Sequence, residues 1–338
     1  MSKDIKWSEL PFAYMKTDYN VRCYFKDDKW GEIETSSSVN IELNIAATGL
    51  HYGQQAFEGL KAFMGKDGKI RIFRLEENAK RLQDSAKGIL MAEPPLDIFT
   101  KMVHKAINLN LEYVPPYGTG ASLYIRPVLF GTEAAVGVRP AKEYVLIVFV
   151  TPVGPYFKQG FSPVSMLLTK EFDRAAPLGT GKYKVGGNYA ASLVSMKKAH
   201  DEGFANVLFL DSREKKFIDE CGPANFFGIK NNTYITPKSE SILPSITNKS
   251  LETLAQDLGL KVERRPIPES ELPTFEEVGA CGTAAVISPI NRIHDDTTGE
   301  TYTYGDNPGP ISTKLYKTLM GIQMGDIDDK FGWTTFVE

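Results

Sequence analysis

Apolar residues recur along the chain with two periods, and the switch between them sets out the elements. Leu75, Ala79, Leu82 and Ala86 share one helical face, so a helix is predicted over 76–87, with Arg74 at its entrance and Arg81 partway along. Phe99, Met102, Val103, Ala106 and Ile107 repeat that pattern over 96–110. After the turn Gly65-Lys66-Asp67-Gly68, a strand is predicted over 69–73. Between 122 and 130 the period becomes two: Leu123 and Ile125 take one face of a strand, and Tyr124 and Arg126 share the other. Residues 144–150 are apolar without alternation, which marks a central strand, and Thr151-Pro152-Val153-Gly154-Pro155-Tyr156 is expected to break it.

Beyond that break the pattern changes. Short strands at 206–211, 216–220, 225–229 and 233–236, joined by turns, predict a partly antiparallel sheet. A helix is predicted over 189–202, capped by Asn188, stopped by Gly203, and carrying Tyr189, Ala190, Leu193, Val194 and Met196 as its apolar stripe. Ser245-Ile246-Thr247-Asn248 opens another, with Leu251, Leu254, Ala255 and Leu258 on one face and Gly259 at its end, and a last helix covers 312–325. The fold class is therefore α/β (α+β) in two domains. A smaller one is expected over 1–157, the linker near 151–162 with the boundary close to Lys158, and a larger one over 163–338.

Composition narrows the function. With 42% hydrophobic and 24% charged residues and a net charge of −3, the 338-residue chain reads as a globular protein with no nucleic-acid surface. Residues 1–10 lack the apolar core of a secretory signal, and the longest apolar run, 144–150, is too short for a bilayer, so a cytoplasmic protein is expected. Cys23, Cys221 and Cys281 form no Cys-x-x-Cys pair, and His51, His104, His200 and His294 show no ligand spacing; no disulfide framework and no protein-bound metal are expected.

The densest candidate chemistry is Gly181-Lys182-Tyr183-Lys184-Val185-Gly186-Gly187-Asn188-Tyr189. A Walker loop fails, because Ala176 stands where its first glycine is needed and Tyr183 where Ser or Thr is needed. A dinucleotide fingerprint fails because Lys184 occupies its third glycine position. What survives is a lysine on a glycine hinge, placed to reach a carbonyl compound and form a Schiff base. Tyr124 and Arg126 together want a buried anion or a structural ion pair, and the helix start at Ile246 and Thr247 offers amides to an anion, as helix starts generally do.

Lys184-Val185-Gly186-Gly187-Asn188-Tyr189, Phe57-Glu58-Gly59-Leu60-Lys61-Ala62-Phe63, Tyr124-Ile125-Arg126-Pro127, Asp219-Glu220-Cys221-Gly222 and Cys281-Gly282-Thr283-Ala284 resemble, in order, the branched-chain amino acid aminotransferases. The likeness runs from about Thr17 to the last helix. It implies a two-domain fold-type IV pyridoxal-phosphate enzyme, with a pseudo-barrel sheet in the larger domain, that exchanges amino groups between leucine, isoleucine or valine and 2-oxoglutarate by a ping-pong mechanism. Residue by residue it implies that Lys184 carries pyridoxal 5′-phosphate as a Schiff base and shuttles the proton, and that Glu220 pairs the pyridine nitrogen. It places Tyr189 at the 3′-oxygen, and Arg81, Ile246, Thr247 and Thr283 at the phosphate. Thr283 and Ala284, helped by Tyr124, match the α-carboxylate turn, Arg126 the residue that receives glutamate's side-chain carboxylate, and Phe57 lies in the pocket motif. Tyr156 matches a gating tyrosine, and Tyr52, Val136 and Val138 match residues lent by a second subunit, which implies a homodimer.

The chain departs from that pattern in two places. Ala285 and Ser288 stand where mammalian members carry a Cys-x-x-Cys, so the thiol switch is expected to be absent, and Pro223 replaces a threonine of the pocket. The alternatives are another fold-type IV enzyme, such as a D-amino-acid aminotransferase or an aminodeoxychorismate lyase, and a non-catalytic metabolite-binding relative. The loop Gly137-Val138-Arg139-Pro140 and the Tyr-Ile-Arg-Pro strand favour the branched-chain reading.

Overall fold

The computed structural model describes residues 5–156 and 160–337. Two compact units emerge: Met1–Lys158 with Tyr183–Gly186 and Gly321–Glu338, and Gln159–Lys182 with Gly187–Met320. Lys158, where the sequence suggests the boundary, lies outside the described residues.

The first unit is built on an antiparallel sheet running Thr334–Phe336, Ile70–Phe73, Leu60–Met64, Ser122–Gly131, Tyr144–Val153, Asn20–Lys26 and Lys29–Trp30. Its two long strands pair from Ser122 opposite Val153 to Gly131 opposite Tyr144. The expected break at Thr151 therefore does not occur. Ser122, Leu123 and Tyr124 supply backbone partners out to Val153, and the chain leaves the sheet only at Gly154.

Helices Leu75–Gly88 and Leu96–Asn108 close one face of this sheet. Leu82, Ala86, Phe99, Met102, Val103 and Ile107 pack with Leu123, Ile125, Leu146 and Val148 into one core, each large side chain contributing about 1.5–3 kcal/mol. The strand Thr334–Phe336 is not foreseen by the pattern, being three residues without alternation. Tertiary contacts hold it: the Trp333 carbonyl accepts the Arg74 amide at 2.6 Å, and the Trp333 ring lies under the Arg74 guanidinium and edge-on to Phe73.

In the second unit, Val164–Thr169, Asn206–Leu210, Ile218–Cys221, Ala224–Lys230, Glu277–Gly282 and Val286–Asp295 close into a six-stranded barrel, since the first pairs with the last. Val164–Thr169 is parallel to both its neighbours and the remaining pairs are antiparallel, which is the partly antiparallel pseudo-barrel expected. Thr233–Pro237 and Lys261–Arg265 extend it. Helix Ile246–Asp257 buries Leu251, Leu254 and Ala255 as its spacing predicts, and Ser245 Oγ caps it by accepting the Asn248 amide at 3.1 Å.

The predicted helix over 189–202 is two helices, Gly186–Ala191 and Leu193–Asp201. The second half of the predicted stripe faces outward, with Leu193 and Val194 61% and 65% exposed while Ser195 and Ala199 are buried. Ser192 is the reason: its amide and hydroxyl both bond the Tyr189 carbonyl, at 3.2 and 2.8 Å, which ends the first turn and rotates the face that follows. Asn188 lies inside the first helix instead of capping it. Its side chain ties down Thr180, accepting the hydroxyl at 2.7 Å and donating to the carbonyl at 2.8 Å. Among the described residues no helix is long and apolar enough to cross a membrane.

Candidate active site

Lys184 is fixed through its backbone. Its amide donates to Ser85 Oγ at 2.9 Å, on helix Leu75–Gly88, and its carbonyl accepts the Phe57 amide at 3.0 Å, while Val185 bridges Ala56. The side chain is half-buried, its Nζ 4.9 Å from the centre of the Phe57 ring. The glycines around it serve close approach. Neither Gly186 nor Gly187 takes a positive φ, but a Cβ on Gly186 would strike the Gln55 amide, and one on Gly88 would strike the Tyr183 ring.

The alternation of strand Ser122–Gly131 brings Tyr124 and Arg126 together, the Arg126 Nη2 donating to the Tyr124 hydroxyl at 3.1 Å. The guanidinium also lies 4.9 Å from the Phe57 ring centre and 5.2 Å from that of Tyr124. Its Nε is enclosed without a hydrogen-bond partner, and among the described residues no carboxylate pairs with it. Room for the Tyr124 hydroxyl comes from Gly59, where a Cβ would overlap it. Lys61, opposite Tyr124 in register, is buried, and that burial pushes its amine down to about 8. Tyr156 reaches the group through Phe12, whose ring is edge-on to both Tyr124 and Tyr156 at 5.4 and 5.2 Å. Phe12 went unnoticed in the sequence, because the segment before residue 20 has no periodic pattern to mark it.

Arg81 is buried by a partner that the sequence reading passed over. Its Nε and Nη2 donate to the two oxygens of Glu58 at 2.7 and 2.8 Å, fork to fork, with Glu58 fully buried. The loop between strands Ser122–Gly131 and Tyr144–Val153 is clasped by Glu133, which takes both forks of Arg139 at 2.8 and 2.9 Å and the Lys142 amide at 2.6 Å. Beyond that clasp, Val136 and Val138 project 87% and 83% exposed, and the Tyr52 hydroxyl donates to the Val136 carbonyl.

In the second unit Glu220 is 3% exposed on strand Ile218–Cys221. Oε1 accepts the Leu243 amide at 2.6 Å and Asn225 Nδ2 at 3.2 Å, and Arg174 Nε lies 3.0 Å from Oε2. All three favour the anionic carboxylate. Arg174 and Asn225 also went unnoticed in the sequence, since neither stands in a motif that marks it. Tyr189 lies half-buried on the helix Gly186–Ala191, and Ile246 and Thr247 are buried at the start of helix Ile246–Asp257. Thr283 and Ala284 form the turn between Glu277–Gly282 and Val286–Asp295. A cavity of about 240 Å³, lined by Pro177, Leu178, Phe217 and Asp219, is a separate feature: Asp219 points to the face of the strand opposite Glu220, which does not line it.

The first unit thus carries a lysine amine beside an aromatic ring and a guanidinium that, among the described residues, has no carboxylate partner, and the second carries a buried carboxylate held by fixed donors. The Amino-transferase class IV profile matches residues 55–293, and the chain belongs to that family. It is 45% identical to the branched-chain-amino-acid aminotransferase of Haemophilus influenzae, across 99% of this chain and 100% of that one. The Helicobacter pylori branched-chain-amino-acid aminotransferase is likewise 45% identical, with 98% and 97% covered. Among solved structures, that of the Escherichia coli branched-chain amino acid aminotransferase matches with a TM-score of 0.81 at 26% identity, covering 96% of this chain and all of that one.

Proposed function

We propose that this chain is a cytoplasmic homodimeric aminotransferase that moves amino groups between leucine, isoleucine or valine and 2-oxoglutarate, with pyridoxal 5′-phosphate bound at Lys184. The observation that carries the substrate reading is Arg126. A cation set among the rings of Phe57 and Tyr124, with an enclosed Nε and, among the described residues, no carboxylate partner, suits a site that takes an aliphatic side chain in one half-reaction and the glutamate carboxylate in the other.

The residues fit the cofactor. Glu220 is held as an anion, as a partner for a protonated pyridine nitrogen must be. Ser245 caps the Asn248 and Lys249 amides, so the Ile246 and Thr247 amides are those a phosphate would take, and Thr283 and Arg81 are assigned to the same phosphate by the family resemblance. Tyr189 is assigned to the ring hydroxyl. When bound, pyridoxal phosphate supplies an electron sink for the substrate Cα. Lys184 removes and returns the Cα proton, Thr283 and Ala284 with Tyr124 orient the α-carboxylate, and Phe57 and Tyr156 line the aliphatic side. The exposed Val136 and Val138, with Tyr52 and the nearby exposed Ile45 and Leu50, form an apolar surface suited to a second copy, whose pocket they would complete.

Borohydride reduction followed by digestion and mass spectrometry tests the assignment. The adduct is expected on Lys184, which is half-buried beside Phe57, and an adduct on the exposed Lys182 overturns it.

A further inference from the structure

The segment Ser241–Leu243 grips the strand Ile218–Cys221 from both sides. On one face the Leu243 amide donates to Glu220 Oε1 at 2.6 Å, and on the other Ser241 Oγ donates to Asp219 Oδ2 at 2.6 Å. Adjacent strand residues point to opposite faces, so this short segment engages both. The Ser241 carbonyl in turn accepts Arg174 Nη2 at 2.6 Å, and the same nitrogen donates to the Gly181 carbonyl at 2.8 Å. The packing is tight, for a Cβ on Gly181 would strike the Ser241 carbonyl. Arg174 Nε is thereby set 3.0 Å from Glu220 Oε2.

We infer that Asp219 and Ser241 are positioning residues for Glu220: Asp219 holds the Ser241 hydroxyl, Ser241 holds the Arg174 guanidinium, and Arg174 faces the carboxylate that is assigned to the cofactor nitrogen. The inference rests on the functional reading above. Every link is buried, with Asp219 2%, Ser241 3% and Arg174 8% exposed. Arg174 and Asp211 are the charged groups that act on Asp219, the hydroxyls of Ser239 and Ser241 lie beside it, and Arg213, Glu214, Lys238 and Glu240 line the same cavity. Asp211 is itself saturated by the amides of Arg213, Glu214, Lys216 and Phe217. The guanidinium that acts on Asp219 is thus the one that serves Glu220.

The test uses the holoenzyme with Ser241→Ala, Ser241→Thr and Asp219→Asn. It measures the pH midpoint of the bound cofactor's visible absorbance, kcat and KM for leucine, and the thermal midpoint of each cofactor-free protein. Ser241→Ala should lower kcat about five- to tenfold, the worth of one buried hydrogen bond, with KM unchanged. It should also move the absorbance midpoint by about half a unit or more. Ser241→Thr, which keeps the hydroxyl, should restore both. Asp219→Asn keeps the shape and should lower the midpoint, because an anion has been removed near the protonated ring. Wild-type kcat and midpoint in Ser241→Ala, or a lowered thermal midpoint with no change in absorbance, overturns the inference. A wild-type protein that binds no pyridoxal phosphate overturns the functional reading itself, which the wild-type spectrum alone reveals.

Discussion

Glu58 with Arg81 and Glu220 with Arg174 are buried carboxylate–arginine pairs built in opposite senses. In the first unit both oxygens of Glu58 accept from Arg81, Nε and Nη2 at 2.7 and 2.8 Å, and Oε2 also takes the Gly59 amide at 3.2 Å, so the acid fixes the base. In the second unit Arg174 turns its Nη2 to two backbone carbonyls and presents only Nε to Glu220, close at 3.0 Å but off the hydrogen-bond axis. There the base tunes the acid. Glu220 meanwhile gathers two neutral donors on Oε1, with Arg174 beside Oε2. The same residue pair thus yields an oriented guanidinium in one place and an oriented carboxylate in the other.

Glu58→Gln is the sharpest way to break this contrast. It strands the Arg81 charge in a buried setting and should cost about 3–5 kcal/mol of stability, read as a drop in the thermal midpoint. Glu58→Gln with Arg81→Met should recover much of that loss while cofactor affinity falls. If the single and double variants are equally destabilised, Glu58 matters for something other than Arg81. Glu220→Gln should behave differently, retaining most of the bound cofactor while turnover falls about 10²–10³-fold, because a neutral partner no longer sustains the protonated ring. Near-normal turnover in that variant would transfer the role to another group.

The sequence makes one side of this comparison more legible than the other. Tyr124 and Arg126 can be placed together because strand alternation puts them on one face, and Lys184 stands out because glycines flank it. The function of Glu58 is invisible there, since its partner lies 23 residues away on a helix whose pattern is equally consistent with a solvated Arg81. Arg174 has no motif at all, and only the folding of Gly181 and Ser241 around it gives it a role. Among the elements, the helices over 75–88 and 246–257 are readable because each buries one face against one core. The break at Ser192 is not, because apolar residues continue through it, and the strand Thr334–Phe336 depends on Arg74 and Trp333 rather than on its own composition.

Arg126 offers a third kind of arginine, one that pairs with no acid among the described residues. Arg126→Met should lower kcat/KM for the glutamate half-reaction by about 100-fold, the order of 3 kcal/mol that follows removal of one member of a buried charge pair. The leucine half-reaction should lose much less, because its side chain brings no charge. Single-turnover absorbance separates the two halves. Equal losses would make Arg126 a support for Tyr124, to which it donates at 3.1 Å, and not a receiver of substrate.

The smallest expected effect probes how closed the Glu220 region is. Cys221 follows Glu220 on the same strand, and Cys281 lies on Glu277–Gly282, one strand beyond the intervening Ala224–Lys230; both are buried, and burial pushes both thiols well above the ordinary range. For Cys221 the charges of Cys281 and Glu220 add to that rise. A thiol whose folded value is raised stays protonated through neutral pH, and the protonated form is a poor nucleophile toward peroxide. With Ala285 and Ser288 where a Cys-x-x-Cys could stand, there is also no adjacent pair to close a disulfide. Mild peroxide at neutral pH should therefore leave activity unchanged. Inactivation that dithiothreitol fully reverses, in a variant keeping only Cys221 and Cys281, would show that these strands open far enough for the two thiols to meet. The enclosure that keeps Glu220 ionised among fixed donors would then be intermittent rather than permanent.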